Sequence, residues 1–188
     1  MTVADATHAP SDAQVIARAL TDPAAFATIF DRHHDAIHGF LRRRLDAAIA
    51  EELAAETFAR ALHGAARYDH DRADALPWLY GIAANLARRH RRTEVRRLRA
   101  YARTGVDPLA DDHGDAPSRL DAAAAAAQLA AALAALRPDD RDALLLLAWA
   151  ELSYDEIAEA LRVPIGTVRS RLHRARHVLR THLEEGTT

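Results

Sequence analysis

The strongest chemical signal in this chain is a run of basic side chains near its C-terminus. Between Ala160 and Leu183 there is no Asp or Glu, whereas Arg recurs throughout the run. Arg carries a planar fork of donors that suits phosphate oxygens and base edges, so an acid-free cationic helix face predicts nucleic-acid contact. A merely solvated helix face usually mixes both charge signs. We therefore expect this run to bind DNA.

A second basic cluster lies earlier in the chain. A helical pattern begins at Leu76 and continues into a stretch of arginines interrupted by Glu94 alone: Arg88, Arg89, Arg91, Arg92, Arg96, Arg97, Arg99 and Arg103. Like charges this dense on one helix destabilise it, by roughly a few tenths of a kcal/mol per pair. A polyanion that neutralises them would offset that cost, which again indicates a nucleic acid.

Other chemistries are less well supported. A metal-dependent enzyme is conceivable because His34 and His38 stand at i,i+4, beside His33 and Asp35, a spacing that can hold Zn²⁺. No Glu general base and no further ligand set accompanies them, so exposed helix histidines are the favoured interpretation. The chain has no Cys, which excludes disulfides and thiolate zinc sites. We expect no metal, no cofactor and no catalysis.

Composition predicts an all-α fold that positions these residues. Apolar residues make up 49% of the 188, aromatic residues 5%, and Gly and Pro are sparse, which favours helices over strands. We expect a disordered N-terminus (1–10), a helical domain (11–103), an acidic linker (104–118), a second helical domain (119–183) and a tail (184–188). The sequence shows no signal peptide and no membrane span, which points to the cytoplasm.

A helix-turn-helix is predicted for the second domain. Ser153 and Glu156 form a capping box, so a short helix should begin at Tyr154, and Pro164 should open the next helix. That second helix has an apolar stripe opposite its basic face: Val168, Leu172, Ala175 and Leu179. Before it, Pro138 should start another helix, and an Ala-rich helix should bury Leu129, Leu133 and Leu136.

The first domain should contain several helices of its own. Ser11 and Gln14 form a capping box, and Asp22 with Pro23 should begin a longer helix. We expect the buried face of that helix to be Phe26, Ile29, Phe30, Ile37 and Leu41. A third helix should run over 48–62, followed by a polar loop over 64–75.

Three motifs resemble one family of transcription proteins. The run over 152–176 closely resembles region 4 of bacterial sigma factors of the extracytoplasmic-function (ECF) group. Residues 51–58 look like region 2.2, and residues 78–89 look like regions 2.3 to 2.4. The resemblance covers about 11–103 and 119–183, in the family's order, and the three motifs together are specific. Ala55 departs from the pattern, because the family often has Gln there.

This resemblance implies a role for each surface. Region 2.2 docks on the β′ clamp helices of RNA polymerase, which assigns core binding to Glu51, Glu52 and Glu56. Regions 2.3 to 2.4 and the preceding loop recognise and melt the −10 element, which would involve Tyr68, His70, Asp71, Arg72, Asp74, Asn85, Arg88, Arg89 and Arg92. Region 4 reads the −35 element, for which the candidates are Arg169, Ser170, Arg171, His173, Arg174 and Arg176.

The partners implied are core RNA polymerase, through its β′ clamp helices and β flap, and promoter DNA. An anti-sigma factor is a further partner of many family members, which this sequence does not identify. The competing interpretation is an ordinary helix-turn-helix activator or repressor that binds duplex DNA as a dimer. It would explain 119–183, but it leaves the arginines of 88–103 and the acidic face of 51–56 without a role.

Overall fold

The computed structural model describes residues 9–104 and 116–185, and within these ranges the chain is all-α, as predicted. Nine α-helices and three short 3₁₀ turns form there, and no strand does. The predicted N-terminal segment, acidic linker and tail lie partly outside the described residues, which omit 1–8, 105–115 and 186–188. No helix in the described ranges is long and apolar enough to cross a membrane.

The N-terminal unit (9–104) contains five α-helices. They are α1 (Asp12–Ala19), α2 (Ala27–Arg44), α3 (Ala47–Gly64), α4 (Leu76–Ala87) and α5 (Arg91–Thr104), with 3₁₀ turns at Pro23–Phe26, Ala65–Arg67 and Arg88–His90. Ser11 caps α1 with the predicted capping box, and Pro77 lies in the first turn of α4. Fully buried aliphatic side chains such as Ile29, Ile37 and Leu41 hold α2 at the centre of this unit.

The C-terminal unit (116–185) contains α6 (Ala116–Ala135), α7 (Pro138–Ala148), α8 (Tyr154–Leu161) and α9 (Ile165–Glu185). The capping box of Ser153 and Glu156 begins α8, which confirms the predicted start. Arg162 ends α8 in the left-handed conformation, with φ of 52°, and α9 begins directly after Pro164. Helices α8 and α9 therefore form the predicted helix-turn-helix.

Three local predictions were wrong. Phe30 is 40% exposed, because it lies on an outer aromatic cluster with His34 and Phe58, at ring distances of 4.7 and 5.0 Å. Leu129 is 45% exposed, whereas Ala130, Ala132 and Leu133 form the buried face of α6. The helix from Leu76 does not continue to Arg103, because a 3₁₀ turn at Arg88–His90 separates α4 from α5.

The two units pack closely against each other, with α4 against α8 and α5 against α6. Gly81 of α4 lies at the tightest contact described for a glycine. A Cβ placed on Gly81 would stand 2.4 Å from the carbonyl oxygen of Ala160 in α8. Only a residue without a side chain allows the two helices to approach this closely.

Candidate nucleic-acid and protein interfaces

Helix α9 presents the basic face that the sequence predicted. Val168, Leu172 and Ala175 are fully buried, which fixes the rotation of α9 and turns its arginines outward. The predicted −35 residues Arg169, Ser170, His173, Arg174 and Arg176 are exposed, and Arg171 is partly buried. The hydroxyl of Ser170 donates to the carbonyl oxygen of Gly166 at 2.9 Å, so its remaining hydrogen-bonding capacity is as an acceptor.

Three arginines of this face are already paired within the C-terminal unit. The Arg174 guanidinium makes two hydrogen bonds to the Asp140 carboxylate, at 3.1 and 2.7 Å, and this contact raises the pKa of Arg174. Arg171 donates to Asp139 at 3.1 Å, and Arg176 donates to the hydroxyl of Tyr154 at 3.0 Å. Helices α7 and α8 thus orient these side chains while leaving Arg174 and Arg176 exposed.

The loop before α4 has a structured inner side and an exposed outer side. Tyr68 is buried, its ring lies 5.0 Å from that of Trp78, and its hydroxyl donates to the carbonyl oxygen of Arg72 at 2.7 Å. Burial, and then the charge of Asp12, Asp74 and nearby acids, raises the pKa of Tyr68, so the phenol stays protonated and remains a donor. The other predicted loop residues are exposed: His70, Asp71, Arg72 and Asp74.

A cavity of about 230 Å³ lies where this loop meets the C-terminal unit. Tyr68, Trp78 and Asn85 line it from the N-terminal unit, while Glu159 of α8 and Arg162, which follows α8, line the opposite wall. Arg72 also pairs with Glu159, at 3.4 Å. Of the predicted −10 residues, Tyr68 and Asn85 thus line this cavity and Arg72 contacts its opposite wall, and α8 covers this part of the loop in the packed arrangement.

The rest of the predicted strand path continues from α4 into α5. Asn85, Arg89 and Arg92 are exposed along it. Arg88 is only partly exposed, because its guanidinium pairs with Asp142 at 3.1 Å and with Asp139 at 3.6 Å. Arg89 and Arg92 therefore point outward, whereas Arg88 joins the two units.

A buried ionic network between the units was missed by sequence reasoning. Arg44 of α2 donates to Glu94 of α5 at 2.7 Å and to Asp142 of α7 at 2.6 Å, and all three side chains are at most 3% exposed. Arg141 of α7 approaches Glu94 at 3.3 Å and donates to the carbonyl oxygen of Leu133 at 3.0 Å. Residues distant in sequence thus share one buried cluster of charges.

The network keeps its charges by pairing each with an opposite one. Burial lowers the pKa of Arg44, but the charges of Asp142 and Glu94 more than compensate, and the net shift is upward. Burial dominates at Arg141, whose pKa is lowered. The signal available in the sequence was Glu94 itself, a single acid among arginines, although nothing in its spacing named its partners.

The acidic face of α3 lies on the outside of the N-terminal unit. Glu51 and Glu52 are exposed, and Glu56 is half-buried beside Arg60, at 2.5 Å. Glu51 also approaches His38 of α2 at 3.1 Å. Glu52 and Glu56 stand one helical turn apart, so this face offers adjacent carboxylates to a basic surface.

The histidines of α2 make separate contacts rather than converging on one point. His34 and His38 stack, with ring centroids 5.5 Å apart, whereas His33 bonds to Asp12 at 2.6 Å. In the ranges that the structure describes, Asp12, His33 and Asp74 bring ligand atoms within 4.8 Å of one another. The Asp12 carboxylate already accepts from Arg32 and from the backbone of Ala75, so it is poorly placed to bind a cation.

Comparisons with known proteins agree with this geometry. The family model described as Sigma-70 region 2 matches residues 29–97, and the model described as Sigma-70, region 4 matches residues 126–179. The chain is 35% identical over 166 residues to the RNA polymerase sigma factor CarQ of Myxococcus xanthus, covering 86% of this chain and 90% of that protein. It is 32% identical over 178 residues to the ECF RNA polymerase sigma factor SigW of Bacillus subtilis, covering 87% of this chain and 91% of that protein.

Two solved structures share the fold. CnrH in complex with the cytosolic domain of CnrY gives a TM-score of 0.65 at 24% identity, covering 93% of this chain and 97% of that one. The sigma factor RpoE in complex with the anti-sigma factor NepR from Bartonella quintana gives a TM-score of 0.58 at 22% identity, covering 85% of this chain and 96% of that one. At these identities the structures establish the shared fold alone.

Proposed function

Because the chain belongs to the ECF group of sigma-70 RNA polymerase sigma factors, which direct promoter-specific transcription initiation, we propose a division of that work among its surfaces. The observation that carries the proposal is the order of three faces along one chain. An acidic helix face (51–56) is followed by a polar loop with a basic path (68–92). A helix-turn-helix (152–183) comes last, and its second helix has no acid between its start and Leu183.

Helix α9 reads the −35 element in the major groove. The buried stripe fixes the rotation of α9, and Arg169, Ser170, His173 and Arg174 lie on its exposed side. In this proposal these four side chains contact base edges. Arg171 and Arg176 contact phosphates, which fix the register without reading sequence.

The loop before α4 and the path along α4 and α5 recognise the −10 element and help to melt it. A base flipped out of the stack is held by hydrogen bonds and stacking, which the loop's exposed polar side chains and the neighbouring cavity provide. Asn85, Arg88, Arg89 and Arg92 follow the displaced strand, where cations compensate its phosphates.

The acidic face of α3 docks on the β′ clamp helices through Glu51, Glu52 and Glu56, and the C-terminal unit contacts the β flap. We place the protein in the cytoplasm with core polymerase and assign it no catalysis and no cofactor of its own. An anti-sigma factor is a further proposed partner, since both solved structures of this fold named above are complexes and one includes an anti-sigma factor.

Promoter binding requires the two units to separate. In the packed arrangement, α8 covers part of the −10 face, and Arg88 is paired with acids of the C-terminal unit. The −10 and −35 elements also occupy separate places on the duplex. Binding to polymerase and DNA therefore competes with the contacts between the units, and it must supply the free energy that opens them.

Run-off transcription with purified core RNA polymerase tests the proposal. New transcripts from a defined start should appear with the wild-type chain and disappear when Glu52 and Glu56 are both changed to Arg. Glu184→Arg is the matched control, because Glu184 is an exposed acid outside the region 4 match and should tolerate the reversal.

Two outcomes would overturn this assignment. If the chain bound duplex DNA tightly by itself, yet bound no core polymerase and gave no new start, it would act as a simple helix-turn-helix regulator. If the reversed variant kept full activity, the polymerase would dock on another surface.

A further inference from the structure

The loop before α4 is held from the inside at both of its ends. At the first end, Tyr68 packs against Trp78 and donates its hydroxyl to the carbonyl oxygen of Arg72. Within the loop, the backbone N–H of Arg72 donates to the carbonyl oxygen of Asp69 at 3.0 Å. The outward side chains are thus displayed by a backbone that has a defined shape.

Asp12 of α1 holds the second end. Its backbone N–H donates to the carbonyl oxygen of Ala73 at 3.1 Å, and its carboxylate accepts from the backbone N–H of Ala75 at 3.0 Å. These two bonds bracket Asp74, whose carboxylate accepts from the N–H of Leu76 at the start of α4 at 2.8 Å. One residue of α1 therefore ties the loop down on both sides of an exposed acid.

Helix α2 holds Asp12 in turn. Arg32 donates to one carboxylate oxygen at 2.8 Å, and His33 bonds to the other at 2.6 Å. Arg32 also donates to the carbonyl oxygen of Pro10 at 2.9 Å. Only 6% of Asp12 is exposed, and such a charge is retained where it has several hydrogen-bond partners.

We propose that Asp12 is a positioning residue for −10 recognition, which fixes the loop so that its outer side chains meet the flipped base in one geometry. This proposal rests on the proposed function, since it needs the loop to read the −10 element. Asp12 lies outside the range matched by the region 2 family model, which begins at residue 29. The contribution of α1 to this loop is therefore not part of that match.

The test compares Asp12→Ala and Asp12→Asn with wild type in holoenzyme assembled from the full chain and core polymerase. The readout is the ratio of run-off transcript from the cognate promoter to that from promoters with single −10 substitutions. A mismatched base pair typically costs about 1–3 kcal/mol, so loss of a fixed loop should reduce this ratio by roughly fivefold or more. Asp12→Asn keeps a side-chain oxygen that can accept from the N–H of Ala75, so its promoter ratio should lie between those of wild type and Asp12→Ala.

Asp35→Asn is the matched control, because it makes the same change at a fully exposed acid of α2 and should leave the ratio unchanged. Discrimination among −35 substitutions should also stay at the wild-type value in every variant, and permanganate reactivity at the −10 element should decrease only in the Asp12 variants. If both Asp12 variants keep the wild-type −10 ratio, or lose activity equally on all promoters, Asp12 is merely structural and the proposal fails.

The proposed function would fail differently. In that case the wild-type chain itself would give no polymerase-dependent start, and no ratio could be formed. A wild-type chain that starts transcription correctly, with Asp12 variants that discriminate normally, would overturn the positioning role alone.

Discussion

The contact between the two units should depend on one buried carboxylate. Asp142 of the C-terminal unit accepts from Arg44 at 2.6 Å and from Arg88 at 3.1 Å, both in the N-terminal unit. Asp142→Ala would leave the Arg44 guanidinium, which is 2% exposed, with Glu94 as its remaining partner. In the separated state Arg44 regains water, so the substitution penalises only the packed state.

The size of the effect follows from the burial of the pair. Removing one partner of a buried ion pair typically costs about 3–5 kcal/mol, because the other charge stays desolvated. Since about 1.4 kcal/mol is a factor of ten in an equilibrium constant, the packed state should lose roughly 10²- to 4 × 10³-fold relative to the separated one. Such a change would convert a mostly packed population into a mostly separated one wherever the packed state is favoured by less than this.

The absence of cysteine from the sequence makes a distance measurement direct. Ala59→Cys in α3 and His177→Cys in α9, both exposed positions, can carry a fluorophore pair that reports the separation of the units. Asp142→Ala should lower the transfer efficiency of the free protein. Asp139→Ala is the control: Asp139 also pairs with Arg88 but is 50% exposed, and an exposed pair contributes only about 0–1 kcal/mol.

Comparing Asp142→Ala with Asp139→Ala distinguishes the effect of removing a buried carboxylate from that of removing an exposed one. If Asp142→Ala gave the wild-type transfer efficiency while remaining folded, apolar contacts alone would hold the units together, and the energetic argument would be wrong. Equal opening in both variants would also refute it, since the structure then could not distinguish a buried carboxylate from an exposed one.

The structure leads to three further predictions. Gly81→Val should separate the units, by an overpacking penalty of about 1–3 kcal/mol, whereas Gly39→Val in α2, where a Cβ meets nothing within 4 Å, should leave the transfer efficiency unchanged. Arg174→Ala should weaken promoter use and reduce the preference for the −35 sequence, by roughly 1–3 kcal/mol. Arg176→Ala should instead weaken binding to all DNA sequences alike and reduce the slope of log affinity against log salt concentration by about one. Identical behaviour of the two variants would contradict the faces assigned to α9. Burial raises the pKa of Asp12, but hydrogen bonds from Ala75, Arg32 and His33 outweigh it and lower the pKa below its ordinary value. The ionised carboxylate should therefore stabilise the fold fully above about pH 5 and progressively less as the pH falls. The unfolding free energy of Asp12→Asn should therefore approach that of wild type between pH 7 and pH 3 in urea titrations, and a constant difference would argue against an ionised Asp12.

Local signals in the sequence predicted the helices well. The capping boxes at Ser11 and Ser153 and the prolines at the starts of α4 and α7 correspond to observed helix starts. These signals work because a cap satisfies backbone groups within one turn and needs no distant partner. Side-chain burial was less predictable: Phe30 fits the apolar stripe of α2, yet it lies partly exposed beside His34.

The contact between the two units could not be predicted from the sequence. Arg44 and Asp142 are 98 positions apart, and nothing in the spacing of either residue identifies the other as its partner. Nothing in the sequence around Gly81 indicates that its missing side chain is needed; only the structure shows Ala160 packed against it. Such contacts are set by how whole helices pack, whereas local patterns specify only the face that each helix turns inward.

The arginines within 88–103, in the 3₁₀ turn after α4 and in α5, show that charge density alone overestimates the need for an external polyanion. Their density predicted a polyanion, on the argument that mutual repulsion needs an external counter-charge. The protein itself supplies part of that charge: Arg88 pairs with Asp142, and Arg97 contacts Asp46 and the carbonyl oxygen of Leu45. The single acid of the stretch, Glu94, is fully used by Arg44 and Arg141. Arg89 and Arg92 remain exposed. If they contact the −10 DNA as proposed, the salt dependence of that binding should reflect them, and it should increase when the units separate and release Arg88.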